Sequence, residues 1–322
     1  MQLFRVRGIP VRIDVGWLLI VGLIAWSLAS GYFPHVLPSL SPAAYWAEGL
    51  MAALLLFASV LLHELAHALV AVRHGVPVGG ITLHIFGGVS QLDSEPETPR
   101  AELLIAAVGP LTSFVIAALS YGLSVLLPGP SWAEALAGYL AAVNVVVGVF
   151  NLVPAFPLDG GRVLRAALWA WTGRPERATQ LASRLGSLVA MLMIVGGIVR
   201  ALNGELVGGL WLALIGLFLY QAARTSYALT RVRARLAALR AEQLMNTAPL
   251  ALEHVGQITG ERDQQVTPQD SGWDAFLKIA RNGRGRVAVV DHGMLVGVIT
   301  QHDLQDLVTG DERNGRARRR AA

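Results

Sequence analysis

Five consecutive residues, His63-Glu64-Leu65-Ala66-His67, carry the clearest chemistry in the sequence. On a helix, positions four apart leave the same face one turn apart, so His63 and His67 can share one metal ion. Neutral imidazoles suit Zn²⁺, and Glu64 on the adjoining face can take a proton from a water that the metal activates. With 8 His and 12 Glu among 322 residues, composition alone would produce roughly 0.007 such patterns. The alternative is a satisfied polar pair between helices, with no metal.

A catalytic zinc site usually has three protein ligands and a water. The candidates for the third are Asp159, His84, Asp93 and His74. His74 lies beyond Arg73, in the headgroup region expected at the end of an apolar run, and Asp93 lies in a polar loop. Asp159 alone follows an apolar run and sits at a broken helix, Pro154-Ala155-Phe156-Pro157-Leu158-Asp159-Gly160-Gly161. Prolines free backbone carbonyls, and irregular backbone at membrane depth is tolerated where it is buried in protein or lines a water-filled cavity. The other reading of Asp159 is a helix N-cap for the segment beginning at Gly160, and the two are compatible. His63 precedes Arg73 by ten residues, about 15 Å of helix, and Asp159 just precedes Arg162 and Arg165. The two elements can therefore meet near one side of a bilayer.

The composition explains why a bilayer is expected. The chain is 54% hydrophobic and 15% charged, against about 25% charged for a typical soluble domain. Residues 1–222 hold 11 Arg, no Lys and 11 acidic residues, whereas residues 223–322 hold 15 basic and 11 acidic ones. The first part reads as membrane protein and the second as a soluble domain. The absence of cysteine excludes disulfides, thiol catalysis and Cys-ligated zinc. The sequence pI near 9.8 arises mostly from the Arg-rich C-terminal third, and no nucleic-acid partner is expected. Six spans of suitable length are read at 15–32, 45–72, 103–127, 135–158, 185–202 and 206–223. Arginines flank alternate loops (Arg5, Arg7 and Arg12; Arg73 and Arg100; Arg162 to Arg184; Arg224 to Arg240), which puts both termini in the cytoplasm of a multi-pass protein of the cell membrane. The first run, ending in Ser27-Leu28-Ala29-Ser30, has signal-peptide order but is read as a retained span, because its loss would unmatch the topology of the other five.

His63-Glu64-Leu65-Ala66-His67 together with Asn151-Leu-Val-Pro154-Ala-Phe-Pro157-Leu-Asp159-Gly160-Gly161-Arg162 resembles the site-2 protease family of intramembrane zinc metalloproteases. The resemblance covers about residues 1–222 and includes Gly87-Gly88 and Val108-Gly109-Pro110. It implies one Zn²⁺ per subunit held by His63, His67 and Asp159, with Glu64 as catalytic base and Asn151 contacting substrate or the oxyanion. It also implies hydrolysis of a peptide bond in or near a transmembrane segment of another membrane protein, for example a single-pass regulator such as an anti-sigma factor.

Between spans two and three, Ile81 to Phe86 alternates, Gly87-Gly88 follows, and Val89 to Leu92 resumes. Two glycines between such runs read as a tight hairpin. An edge strand beside the metal could hold an extended peptide by β-augmentation, which a helical substrate requires because its carbonyls are otherwise tied up. A plain surface hairpin is the alternative, and the resemblance favours the substrate role for Gly87 and Gly88. His84 is assigned nothing.

In the C-terminal third, residues 223–242 read as a linker helix with a basic face that could also meet anionic headgroups. Residues 243–310 read as strand, helix, strand, strand, helix, an order that resembles a CBS motif. That resemblance implies adenine-nucleotide contacts at Thr300 and Asp303. CBS motifs normally come in tandem pairs, and residues 245–260 hold at most a shortened first copy, so pairing as a homodimer is expected; a module that only docks protein is the alternative. Residues 311–322 read as a basic disordered tail. The fold class is thus an α-helical polytopic membrane protein with about six transmembrane helices, a small β-hairpin and a C-terminal α/β CBS-type domain. A CBS-gated transporter or channel is the competing function; it would line both leaflets with ionisable groups, whereas here they cluster near one side.

Overall fold

The computed structural model describes residues 1–38, 40–84, 87–92, 94–127, 129, 131–247 and 265–304. The chain divides into two compact units, Met1–Ser226 and Tyr227–Ala322.

The first unit opens with two short strands, β1 (Gln2–Val6) and β2 (Ile9–Ile13). Between them the backbone reverses at Arg7 and Gly8, both with positive φ, the conformation that a two-residue hairpin turn demands. Helix α1 (Val15–Ser27) runs through a π-helical turn (Leu28–Tyr32) into α2 (Phe33–Val36). Then follow α3 (Pro42–Arg73), β3 (Val78–His84), β4 (Gly87–Leu92), α4 (Pro99–Leu126), α5 (Trp132–Asn151), α6 (Asp159–Thr172), α7 (Pro175–Leu202) and α8 (Leu206–Ala237). Ser41, Thr98 and Ser131 cap α3, α4 and α5, each accepting a bond from the backbone N–H three residues on. Such a cap contributes about 1 kcal/mol. Pro42 and Pro99 occupy the first helical position, where no N–H partner is needed.

Among the described residues, six helical segments are long and apolar enough to cross a membrane: Val15–Val36, Pro42–Arg73, Pro99–Leu126, Trp132–Asn151, Pro175–Leu202 and Leu206–Leu229. Their packing is of membrane type. Ala52, Ala53, Ala68, Ala71, Ala106 and Ala190 are fully buried between helices, while Leu119, Leu126 and Leu202 point outward and are 70–83% exposed. Small residues let helix backbones approach closely, and lipid receives the large side chains. The fourth apolar run, expected to continue to Leu158, is helical only to Asn151; residues 152–158 are irregular, and α6 starts at Asp159.

Four strands form one sheet in the order β1-β2-β3-β4. The pair β1 and β2 was not anticipated from the sequence, and β2 pairs with β3 in parallel. In the β3–β4 hairpin, His84 opposes Gly87 and Leu83 opposes Gly88. This corrects the expected hairpin: the two glycines belong to strand β4 and not to the turn.

In the second unit, α9 (Ala241–Leu244), β5 (Gln265–Val266), α10 (Gly272–Asn282), β6 (Arg286–Asp291) and β7 (Met294–Thr300) surround one core. The sheet order is β5-β6-β7, parallel then antiparallel. Leu236, Leu244, Val266, Ile279, Val289 and Ile299 fill the core. Ser271 and Asp274 form a capping box at the start of α10, and Gly283 closes it in the left-handed conformation, as helix ends commonly do. Most of the suspected first CBS copy (248–260) and the basic tail (311–322) lie outside the described residues.

Candidate metal centre

Helix α3 points His63 and His67 into the first unit, where they are 4% and 5% exposed. Helix α4 meets them with polar groups. Ser113 Oγ lies 2.9 Å from His63 Nδ1, and the Ile105 carbonyl lies 2.5 Å from His67 Nδ1. A carbonyl only accepts, so His67 Nδ1 donates and its Nε2 is left to ligate, the usual arrangement around a metal-bound histidine. Pro110 carries no N–H for the Ala106 carbonyl, so the regular ladder of α4 is interrupted next to Ile105.

Asp159 arrives from α6. Leu158 is the extended N-cap of α6, with no side-chain cap bond, and Asp159 is the first helical residue. The capping role considered for Asp159 is therefore not the one it takes. Its Oδ2 lies 3.1 Å from His63 Nε2 and 3.2 Å from His67 Nε2. Burial alone would raise its carboxyl, and an N–H or a positive charge on the two imidazoles beside it holds it down at about 2. A cation in the same place acts in the same direction, so Asp159 would ligate as the carboxylate.

The cluster suits a divalent cation. The candidate ligand atoms of His63, His67 and Asp159 all lie within 4.8 Å of one another. A tetrahedral zinc with bonds of about 2.0–2.1 Å holds its ligands about 3.3 Å apart, close to the two separations seen. Two imidazole lone pairs facing one carboxylate oxygen repel unless positive charge lies among them. Space for that charge is kept by Gly109 on α4: a Cβ there would overlap His67 Nε2 and come 2.6 Å from His63 Nε2.

Glu64, on the next face of α3, is held by strand β4. Ser90 Oγ lies 2.8 Å from Glu64 Oε2 and 3.1 Å from the Glu64 carbonyl oxygen. Gly88 makes room, since a Cβ there would collide with Glu64 Cγ. Beyond β4 the sheet has no further strand among the described residues. Asn151 ends α5, and its Nδ2 donates to the Val147 carbonyl rather than to either histidine. His84 Nδ1 contacts the Gly87 carbonyl, and His74 Nδ1 the Val70 carbonyl; neither joins the cluster. Asp93 lies outside the described residues. Thr300 and Asp303 belong to the second unit and bond to each other: Thr300 N and Oγ1 both donate to Asp303 Oδ2, and Asp303 N donates to Thr300 Oγ1.

Sequence reasoning missed Ser90, Ser113 and the Ile105 carbonyl. Their partners lie 26 to 50 residues away in the chain, and the available signal was only a polar residue in an apolar helix at Ser113 and strand alternation at Ser90.

Comparison with known proteins identifies relatives of this chain. A family model described as Peptidase family M50 matches residues 51–138 and 130–194, and a CBS domain model matches residues 255–310. Rip3 of Mycobacterium tuberculosis, named as a zinc metalloprotease, is 41% identical over 76% of this chain. The chain spans 63% of the length of that relative. A Synechocystis protein, also named as a zinc metalloprotease, is 35% identical over 94% of this chain and 77% of its own length. The solved structure of a site-2 protease from Methanocaldococcus jannaschii aligns at 32% identity over 70% of this chain and 94% of that one, with a TM-score of 0.48.

Proposed function

We infer that this chain, which belongs to peptidase family M50, is an intramembrane zinc endopeptidase that hydrolyses a peptide bond in or near a transmembrane segment of another membrane protein. The observation that carries this reading is the convergence of both Nε2 atoms on Asp159 Oδ2, with Glu64 on the adjoining face of the same helix. His63, His67 and Asp159 would hold one zinc ion. Bound there, zinc supplies Lewis acidity toward a water and a peptide carbonyl.

The remaining work falls to side chains of this protein. Glu64 accepts a proton from the attacking water and returns it to the leaving amine; Ser90 keeps its carboxylate in place. The Ser113 hydroxyl and the Ile105 carbonyl hold the two imidazole rings by their Nδ1 atoms. Asn151 steadies the oxyanion: one of its two amide protons engages Val147, and an amide has two to give. An extended substrate adds to the outer edge of β4 as a fifth strand beginning near Gly87 and Gly88, since main-chain bonds of this kind are how sheet edges hold peptides. Ser90 then links the substrate strand to the base.

The substrate class is a single-pass membrane regulator, of which an anti-sigma factor is an example. The arginines flanking alternate spans support cytoplasmic termini. The CBS match supports an adenine nucleotide at Thr300 and Asp303 and a homodimer through the second unit. Such a nucleotide would compete with the mutual bonds of Thr300 and Asp303.

The test is purified full-length protein with a single-pass substrate in proteoliposomes. Wild type should hold one zinc per chain and cleave, and Glu64→Gln should hold zinc, trap uncleaved substrate and yield it to mass spectrometry. Full cleavage by Glu64→Gln would sink the assignment.

A further inference from the structure

The chemistry above leaves unused a guanidinium buried along the helix that carries Asp159. Arg165 lies six residues after Asp159, about 9 Å along α6, and is 8% exposed. Its Nη1 donates to Glu102 Oε1 at 2.7 Å, its Nη2 to Glu95 Oε2 at 2.9 Å and its Nε to Thr179 Oγ1 at 2.8 Å. The Trp169 ring lies 5.8 Å from Cζ. Glu102 is completely buried.

Stability is a poor reason for this cluster. Apolar residues of similar volume often do as well as a buried ion pair or better. What a guanidinium fork adds is fixed distance and angle. Glu102 lies in the first turn of α4, the helix that supplies Ile105, Gly109 and Ser113 to the two histidines. Glu95 follows β4, the strand whose Ser90 holds Glu64. Arg165 therefore ties the helix of Asp159 to the two elements that orient His63, His67 and Glu64. Asp159 itself follows the irregular segment 152–158, which packs on α7 and α8 through Ala155 and Phe156; Arg165 adds the tie from α6 toward α4 and β4.

We propose that Arg165 is a positioning residue, which through Glu102 and Glu95 sets the reach of Asp159 toward the histidine Nε2 atoms and so sets the metal affinity of the site. This rests on the zinc reading of the cluster. Loss of an outer-shell partner typically weakens metal binding 10- to 100-fold. Lysine keeps the charge and has three N–H donors, but all sit on one nitrogen and cannot reach the three acceptors that the planar fork spans.

The experiment uses full-length protein in detergent, with zinc affinity measured by chelator competition. The variants are Arg165→Lys and the double variant Arg165→Met with Glu102→Met, which removes the fork without stranding a buried charge. Both should retain wild-type helicity and bind zinc 10- to 100-fold more weakly. At saturating zinc, kcat should recover to within a few-fold and KM should stay within about twofold. The visible spectrum of the cobalt-substituted form should shift in both variants. A folded double variant with wild-type zinc affinity would make Arg165 a packing residue and overturn the proposal. Failure of both variants to fold would overturn it too, since the role would then lie in folding. Wild type that takes up no zinc at all would sink the metal reading itself.

Discussion

The hydroxyl of Ser90 touches Glu64 at two points, its carboxylate Oε2 at 2.8 Å and its own carbonyl oxygen at 3.1 Å. One side chain on the outermost strand thus holds the residue best placed to move a proton. A hydrogen bond to a charged group contributes about 1.5–3 kcal/mol. If the Ser90 bond acts in the rate-limiting step, Ser90→Ala should lower kcat by about 10- to 100-fold and leave zinc content at the wild-type level. Steady-state cleavage with metal analysis on the same sample decides it, and an unchanged kcat would remove Ser90 from the machinery.

His63→Ala, His67→Ala and Asp159→Ala should each lower zinc content and abolish proteolysis, whereas Glu64→Gln should lose only proteolysis. Metal analysis after dialysis against a weak chelator separates the two groups. If Asp159→Ala kept both zinc and activity, the third ligand would lie elsewhere.

Gly109→Ala offers a test by sign. In an exposed helix interior, glycine to alanine stabilises by about 1 kcal/mol. At residue 109 the new methyl would occupy the space between the two Nε2 atoms, so zinc content should fall sharply even where helicity is kept or rises. Zinc retention at the wild-type level would show that the cation sits away from this face.

The candidate metal site was legible to unequal degrees. His63 and His67 could be read because helical spacing alone brings them together, and Asp159 because a carboxylate at a broken apolar run has few other uses. Its alternative as an N-cap could not be dismissed without coordinates; Leu158 takes that position instead. Gly87 and Gly88 read as a turn because local pattern says so, whereas at Gly88 the absent Cβ serves Glu64, more than twenty residues back. The strands β1 and β2 went unseen for a similar reason. Arg5, Arg7 and Arg12 look like flanking charge before a span, and the strand that gives β2 its partner lies some seventy residues on.

The second unit should be separable from catalysis. Leu236, Ala241 and Leu244 belong to its core, so a clean truncation ends near Leu229, where the last candidate span ends, rather than at residue 243. A chain ending there should retain zinc and cleavage and should lose any rate response to ATP, ADP or AMP that the full-length protein shows. Titration of both forms against one membrane substrate measures this. Absence of nucleotide binding by the full-length protein would leave the CBS unit as a dimerisation or docking module.

The parallel ladder of Val11 with Ile81, Arg12 with Thr82 and Ile13 with Leu83 constrains assembly. Strands sharing a ladder must occupy the same aqueous compartment, so an even number of bilayer crossings separates them, and the spans Val15–Val36 and Pro42–Arg73 provide two. During synthesis the ladder cannot close until both spans have been threaded and residue 83 has emerged. Strand β4, which docks on β3, comes later still. The β4 edge proposed to accept a peptide is therefore completed only after the first two spans are seated in the bilayer, and passing segments would not meet it while the chain is still being inserted.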